Sequence, residues 1–326
     1  MLTAIHEKMH MKIVTALLAI SISITASAQS ISFPDSDTPR VFAPGIISDG
    51  FANRDMAISP EGNDLFFTIQ WYFGIYSVIM HAQKIDGQWT KPDTAWFSGR
   101  YNDLEPAFSP DGNKIFFVSN RPLTLSDSSK NDYDIWYLQK KGKQWEGPFN
   151  LGAPVNSDKD EFYPSLTKKG DLYFTRNHDE AGDDIFLSVL KDGKYQEPRP
   201  LPEAVNSKED DFNAFIDPDE NYIIFSSYKR KDDLGRGDLY YSLRKDGAWL
   251  PAVHFPIGIN SVSLDYSPFV SPDHKYFFFT SKRLLLKFPY PEPKSGSEIK
   301  RLLNSYGNGF EDIYIMNFSA IKELKY

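Results

Sequence analysis

Short apolar runs separated by polar turns recur along this chain at a nearly constant interval. The clearest copy is LEPAFSPDGNKIFFVSNR, residues 104–121. Ala107 and Phe108 end one apolar run, Ser109-Pro110-Asp111-Gly112 breaks it, and Ile115 to Val118 carries the next. Proline presets φ for such a turn, and glycine tolerates the positive φ it requires. A run of Ile, Phe and Val suits a buried strand. The pattern predicts strand, tight turn, strand.

Four further stretches align on the same turn: RDMAISPEGNDLFFTIQ from Arg54, FYPSLTKKGDLYFTRNH from Phe162, FNAFIDPDENYIIFSSYK from Phe212 and YSPFVSPDHKYFFFTSKR from Tyr266. Their turn positions, Pro60, Pro110, Lys168, Pro218 and Pro272, are spaced by 50, 58, 50 and 54 residues. A four-stranded propeller blade needs roughly 40–50 residues. A third apolar run follows each pair: IYSVIM from Ile75, DIWYLQ from Asp134, DIFLSV from Asp184, DLYYSL from Asp238 and DIYIMN from Asp312. Next come a polar turn, an aromatic residue (Trp89, Trp145, Tyr195, Trp249) and a proline-bearing fourth segment. The fifth copy lacks that segment, whereas FAPGIISDG, residues 42–50, reads as an orphan fourth strand with its connector. The expectation is an all-β fold, a five-bladed β-propeller of four-stranded blades. Strands from the two ends of the chain would close the last blade and leave no free sheet edge.

The repeat resembles the TolB-type, WD-like β-propeller repeat. Ser109-Pro110-Asp111-Gly112, Ser119-Asn120-Arg121 and Asp134-Ile135-Trp136 fit its pattern, and the likeness extends over residues 42–317. Its look-alikes are exported proteins of Bacteroidetes-type bacteria. The resemblance implies a propeller in the cell envelope and leaves the activity open, because propellers host many functions.

The first residues predict export. Met11-Lys12 is a basic start, Ile13 to Ile24 an apolar core and Ala26-Ser27-Ala28 a small-residue cleavage site. Residues 1–28 would be removed, with Met11 a candidate true start. A membrane anchor is the alternative, but the apolar run falls short of the ~20 residues a span needs. Residues 29–40 read as a flexible leader and 41–326 as a single propeller domain. The absence of cysteine argues against a lipid anchor, structural disulfides and thiol chemistry. The expected location is periplasmic or secreted, without a membrane span in the mature form. A net charge of −8 argues against a nucleic-acid surface. The 25 Phe and 18 Tyr fit blade-on-blade packing. One helix is expected within the insert 284–310, capped by Ser297 and running over 298–304.

With the Ser-Pro-Asp-Gly turn at the bottom of each blade, three columns share the top. Asn53, Asp103, Glu161, Asp211 and Asp265 open the first strands. Trp71, Arg121, His178, Lys229 and Arg283 end the second strands, and Gly74, Asp134, Asp184, Asp238 and Asp312 start the third. The first copy breaks all three columns together, which suggests contact. They read as an intrablade charge network more than as a functional acidic ring. A calcium site has the right oxygen chemistry but lacks the clustered loop it needs.

Function should lie where the copies differ. Asp55, Glu105, Tyr163, Asn213 and Ser267 occupy one position near the central channel and form a candidate ligand site. Trp71, Tyr72, Phe73, Tyr228 and Arg230 join it as candidates on the top loops, where aromatic rings could stack on sugar or peptide. The recurring Trp89, Trp145, Tyr195 and Trp249 read as packing. Basic loop residues such as Lys231, Arg236, Lys287, Lys300 and Arg301 could attract an anionic partner, although solvated loops commonly carry such charge. No metal spacing or phosphate loop is present and no cofactor is implied.

Two functions remain. The preferred one is a non-catalytic, monomeric scaffold of the envelope that binds a protein or glycan through its top face. The alternative is a carbohydrate-active enzyme using Asp55 and Glu105 as its carboxylate pair. Five-bladed arabinanase- and invertase-type hydrolases place acids on inner strands, but their third acid and signatures are not found here.

Overall fold

The structure is a computed structural model that describes residues 30–71, 74–124, 132–177 and 182–324. The expected signal peptide lies outside the described residues, as do Tyr72, Phe73 and His178.

Each repeat forms an antiparallel meander. The first blade consists of Ala52–Ile58, Asp64–Trp71 and Tyr76–Ile85 with the short outer strands Gln88–Trp89 and Asp93–Thr94. The second consists of Asp103–Phe108, Lys114–Ser119, Asp134–Lys141 and Gln144–Asn150. In the third, Glu161–Leu166, Leu172–Asn177 and Asp183–Ser188 are joined by Arg199–Pro200. In the fourth, Asp211–Ile216, Tyr222–Ser227 and Asp238–Lys245 carry Ala248–Trp249 and Val253–His254. The fifth contains Asp265–Val270, Tyr276–Ser281 and Asp312–Asn317, and its outermost strand is Arg40–Val41 from the other end of the chain.

Arg40 lies opposite Ile315 and Val41 opposite Tyr314, and the Phe42 N–H donates to the Ile313 carbonyl at 2.7 Å. The ring therefore closes as expected, although the pairing strand precedes residues 42–50. That stretch forms the connector instead, where the Ile313 N–H donates to Ser48 Oγ at 3.2 Å. Asn156, Asn206 and Asn260 clamp the third strands at Ile135, Ile185 and Leu239 in the other connectors.

A separate apolar core fills each junction between neighbouring blades. Phe66 and Ile79 meet Phe117 and Trp136 between the first two blades. Phe116 and Ile135 meet Phe174 at the next junction, followed by Tyr173 and Ile185 against Phe225. Ile224 and Tyr241 meet Phe277 and Phe279 between the fourth and fifth. At the seam, Phe278 and Ile315 meet Leu65 and Phe67. The strand pleat sends alternate side chains to opposite faces, so every blade serves two cores.

Two expectations need correction. Residues 31–37 are not a loose leader: Ile31 is buried, and Phe33 contacts the rings of Phe42, Trp89, Tyr276 and Phe278. Apolar surface on Phe33 fills the seam that closure creates. The helix runs over Gly296–Leu303, capped by Ser295 rather than Ser297. Ser295 forms a reciprocal capping box with Glu298, which satisfies two otherwise free N–H groups.

Candidate functional site

Every innermost strand carries a bulge at the same place. Register shifts fall between Arg54 and Ala57, Leu104 and Ala107, Phe162 and Ser165, Phe212 and Phe215, and Tyr266 and Phe269. Within the bulges sit Asp55, Glu105, Tyr163, Asn213 and Ser267, with φ of 59°, 55°, 51°, 50° and 51°. None is glycine, so each left-handed backbone costs about 1–2 kcal/mol. The five residues expected to line the channel are thus held in one strained conformation, and the bulge re-aims them at the axis.

Their side chains close a hydrogen-bonded circuit across the channel. Arg54 Nε donates to Asp55 Oδ1 at 2.8 Å, and Arg54 Nη2 donates to Glu105 Oε1 at 2.7 Å. The Tyr163 N–H donates to Glu105 Oε2 at 2.7 Å, and the Tyr163 hydroxyl crosses to the Pro268 carbonyl at 2.9 Å. Ser267 Oγ donates to Asp55 Oδ1 at 2.8 Å and accepts from Asn213 Nδ2 at 2.8 Å. One guanidinium therefore stands between the two carboxylates and engages both. Burial pushes the Glu105 carboxyl up to about 8, with Arg54 opposing that rise and Asp55 adding to it. Burial also works against the charge on Arg54, but Asp55, Tyr266 and Glu105 outweigh it and hold the guanidinium cationic.

Sequence reasoning missed Arg54, although a signal existed. Arg54, Leu104, Phe162, Phe212 and Tyr266 form a column that is apolar or aromatic in every copy except the first.

The circuit divides the channel. Above it lies a pit of about 380 Å³ with Arg54, Glu105 and Asn213 among its lining. Its walls include two aromatic pairs, Tyr133–Phe162 with ring centroids 5.3 Å apart and Phe212–Tyr228 at 4.7 Å. Tyr266 lies beneath the Arg54 guanidinium at 5.0 Å. Lys282 and Glu311, paired at 2.7 Å, also line the pit. Below the circuit lies a second cavity, of about 270 Å³, whose lining is largely apolar.

The other candidates fall elsewhere. Trp71 is 56% exposed at the end of its strand and does not line the pit. Tyr228 does line it. Arg230, expected to bind ligand, is instead tied to Asp211 at 2.6 Å.

That pair belongs to a repeated latch. Arg121 meets Asp103 at 2.6 Å, Arg176 meets Glu161 at 2.9 Å and Arg283 meets Asp265 at 2.9 Å. Each arginine also donates to carbonyls of the incoming connector, at Phe97, Val155, Val205 and Ile259. Each stacks on neighbouring rings, as Arg230 does over Tyr240 at 4.8 Å. The acids in turn accept from connector serines, such as Ser207 and Ser261. The ion pairs are intrablade, as expected, and the same arginines and acids also fasten the linker from the preceding blade. Buried connector carbonyls need donors, and the guanidinium fork supplies several at once.

Two assignments change as a result. Arg176 fills the third blade's role, and Arg230 fills the fourth's in place of Lys229, whose positive φ of 57° accompanies an exposed side chain. The third column only partly joins the latch. Asp134 accepts from Asn150 at 2.6 Å, Asp238 from the Leu234 N–H at 2.7 Å and Asp312 from the Gly307 N–H at 2.6 Å. Asp184 lies opposite Arg176 in the strand pairing. In the first blade Asn53 bonds to Asp49 and the Phe51 carbonyl. There the long insert packs instead: Asn308 Nδ2 donates to the Gly50 carbonyl at 3.0 Å.

No protein-family model matches the chain, and no curated protein matches it. Among solved structures it is similar to a provisionally assigned TolB from Agrobacterium tumefaciens, at 15% identity over 82% of this chain and 90% of that one, with a TM-score of 0.48. TolB from Acinetobacter baumannii is 12% identical over 81% of this chain and 54% of its own, with a TM-score of 0.46. An α-L-arabinofuranosidase from Lactobacillus brevis is 11% identical over 84% and 92%, with a TM-score of 0.44. The blade count rests on the strand pairing within this chain.

Proposed function

We propose that this chain is an exported, non-catalytic binding propeller of the cell envelope that holds a glycan in the pit on its top face. The observation that carries this reading is the pit itself, two aromatic pairs beside a floor of Arg54, Glu105 and Asn213. Aromatic walls with a few fixed polar groups suit a ring that is apolar on its faces and hydroxylated at its edge. The signal-like N-terminus supports export. The carboxylate pair supports binding more than hydrolysis. A glycosidase needs one carboxyl to deliver a proton and another to face sugar or water, whereas Arg54 engages both Asp55 and Glu105.

Titration calorimetry of the mature protein against a broad panel of envelope and plant polysaccharide fragments tests this. Tyr228→Ala is expected to weaken the best ligand about tenfold, on the scale of one lost stacking contact. Product release from any fragment, abolished by Asp55→Asn in a folded variant, would favour the hydrolase instead. A protein partner is the second reading, favoured by exposed apolar side chains around the seam, notably Phe51, Trp71, Ile75 and Phe310. A blank glycan panel, together with a pull-down partner lost in Trp71→Ala, would select it.

A further inference from the structure

We propose that the cavity below the circuit is a second site, which takes a small apolar molecule bearing one hydrogen-bond donor. The cavity has a single closed end, because the circuit from Asp55 to Tyr163 spans the channel above it. Its walls come from the lower halves of the inner strands, where Met56, Phe108, Leu166, Phe215 and Phe269 line the space. Pro106, Pro164, Pro218 and Pro268 line it too, and proline has no N–H to leave unsatisfied against an apolar ligand. These apolar stretches offer water few partners, and removing water from them favours an apolar occupant.

Size and chemistry narrow the ligand. At about 270 Å³ the cavity exceeds the ~150 Å³ that accommodates benzene in an engineered core. It is smaller than the roughly 300–1,000 Å³ typical of drug-sized pockets, which points to one or two fused rings. At the mouth, Lys168 and Asp219 neutralise each other at 2.6 Å and so call for no charged ligand. Ser109, Tyr163, Ser165, Ser271 and His274 add polar groups to the lining, and Glu105 adds a buried carboxyl. Its side chain is 3% exposed, it lines the cavity as well as the pit, and its two oxygens accept one hydrogen bond each within the circuit. Carboxyl oxygens keep further lone pairs in either protonation state, so a hydroxyl or amine at the closed end would find an acceptor there.

Fluorescence titration of the mature protein with 2-naphthol and with naphthalene tests the proposal. The expected result is saturation at one 2-naphthol per chain, about tenfold tighter than naphthalene, as one net hydrogen bond would give. Ala107→Leu and Ala107→Trp narrow the cavity and should each weaken binding about tenfold or more, with circular dichroism and Tm showing a folded chain. Should neither variant fold, Phe269→Ala enlarges the cavity and should tighten binding of the bulkier N-phenyl-1-naphthylamine. Unsaturable binding overturns the proposal, as does indifference to these substitutions. Loss of binding in Phe288→Ala with Phe310→Ala would place the probe on the exposed insert and also overturn it. Equal affinity for 2-naphthol and naphthalene would remove Glu105 from the site.

Discussion

The carboxylate of Glu105 accepts the backbone N–H of Tyr163 at 2.7 Å, and Val118 is the reason it must. At three other junctions the corresponding N–H finds a threonine on the second strand of the preceding blade. Glu105 donates to Thr68, Asn213 to Thr175 and Asp55 to Thr280. Val118 occupies that place in the second blade and has no hydroxyl, so the Tyr163 N–H would be left buried without a partner.

A double-mutant cycle tests that relationship. Glu105→Ala removes the acceptor and one partner of Arg54, and should cost about 3–5 kcal/mol, the range for breaking a buried pair. Adding Val118→Thr to that variant should recover about 1 kcal/mol by restoring an acceptor. In the parent, where Glu105 already satisfies the N–H, Val118→Thr should gain nothing. Urea unfolding of all four proteins measures the coupling, and strict additivity would count against it.

Stability should peak in mild acid and fall as pH rises. Burial raises the carboxyls of Glu105 to about 8, Glu161 to about 7 and Asp312 to about 6, and moves Asp238 and Asp265 upward. An acid raised by folding holds its proton more tightly in the native state. Its contribution is full below the unfolded value and is lost as pH climbs through the folded one. Asp111, Asp273 and Glu220 behave oppositely, since hydrogen bonds outweigh burial and push them down. Tm should therefore be highest near pH ~5 and lower at pH ~8.5. In Glu105→Gln the upper part of that decline should flatten.

The latch predicts a sharp contrast between neighbours. Arg230→Ala strands the buried Asp211 and frees the Val205 carbonyl, so it should cost about 3–5 kcal/mol. Lys229→Ala removes an exposed side chain and should stay within ~0.5 kcal/mol. Thermal unfolding distinguishes the two variants, and equal losses would refute the assignment of Arg230.

Gly50 joins the seam to the insert. Its φ is 99°, and a Cβ there would come within 2.6 Å of the Asn304 backbone carbon. Gly50→Ala should therefore push the insert off the first blade and lose about 1–3 kcal/mol. Limited proteolysis should then cut within 284–310 faster than in the parent. An unchanged cleavage rate would mean that the insert is held by other contacts.

The sequence by itself determined the repeat period, the blade count, the closure at the seam and the polar column around the channel. Those features rest on local chemistry, the turn after each first strand and the apolar alternation beside it, and local chemistry is readable in order along the chain. Only the tertiary structure decided what the column does. Ser267 and Asp55, 212 residues apart, become hydrogen-bond partners because the ring brings the fifth inner strand beside the first. Arg54 reads as a stray charge in an apolar column until that closure sets it between two carboxylates. Arg176 likewise holds the third blade's latch, and Arg230 displaced Lys229 from the fourth's. The carbonyls needing donors belong to the connector from the previous blade, and that proximity exists only once the blades have packed.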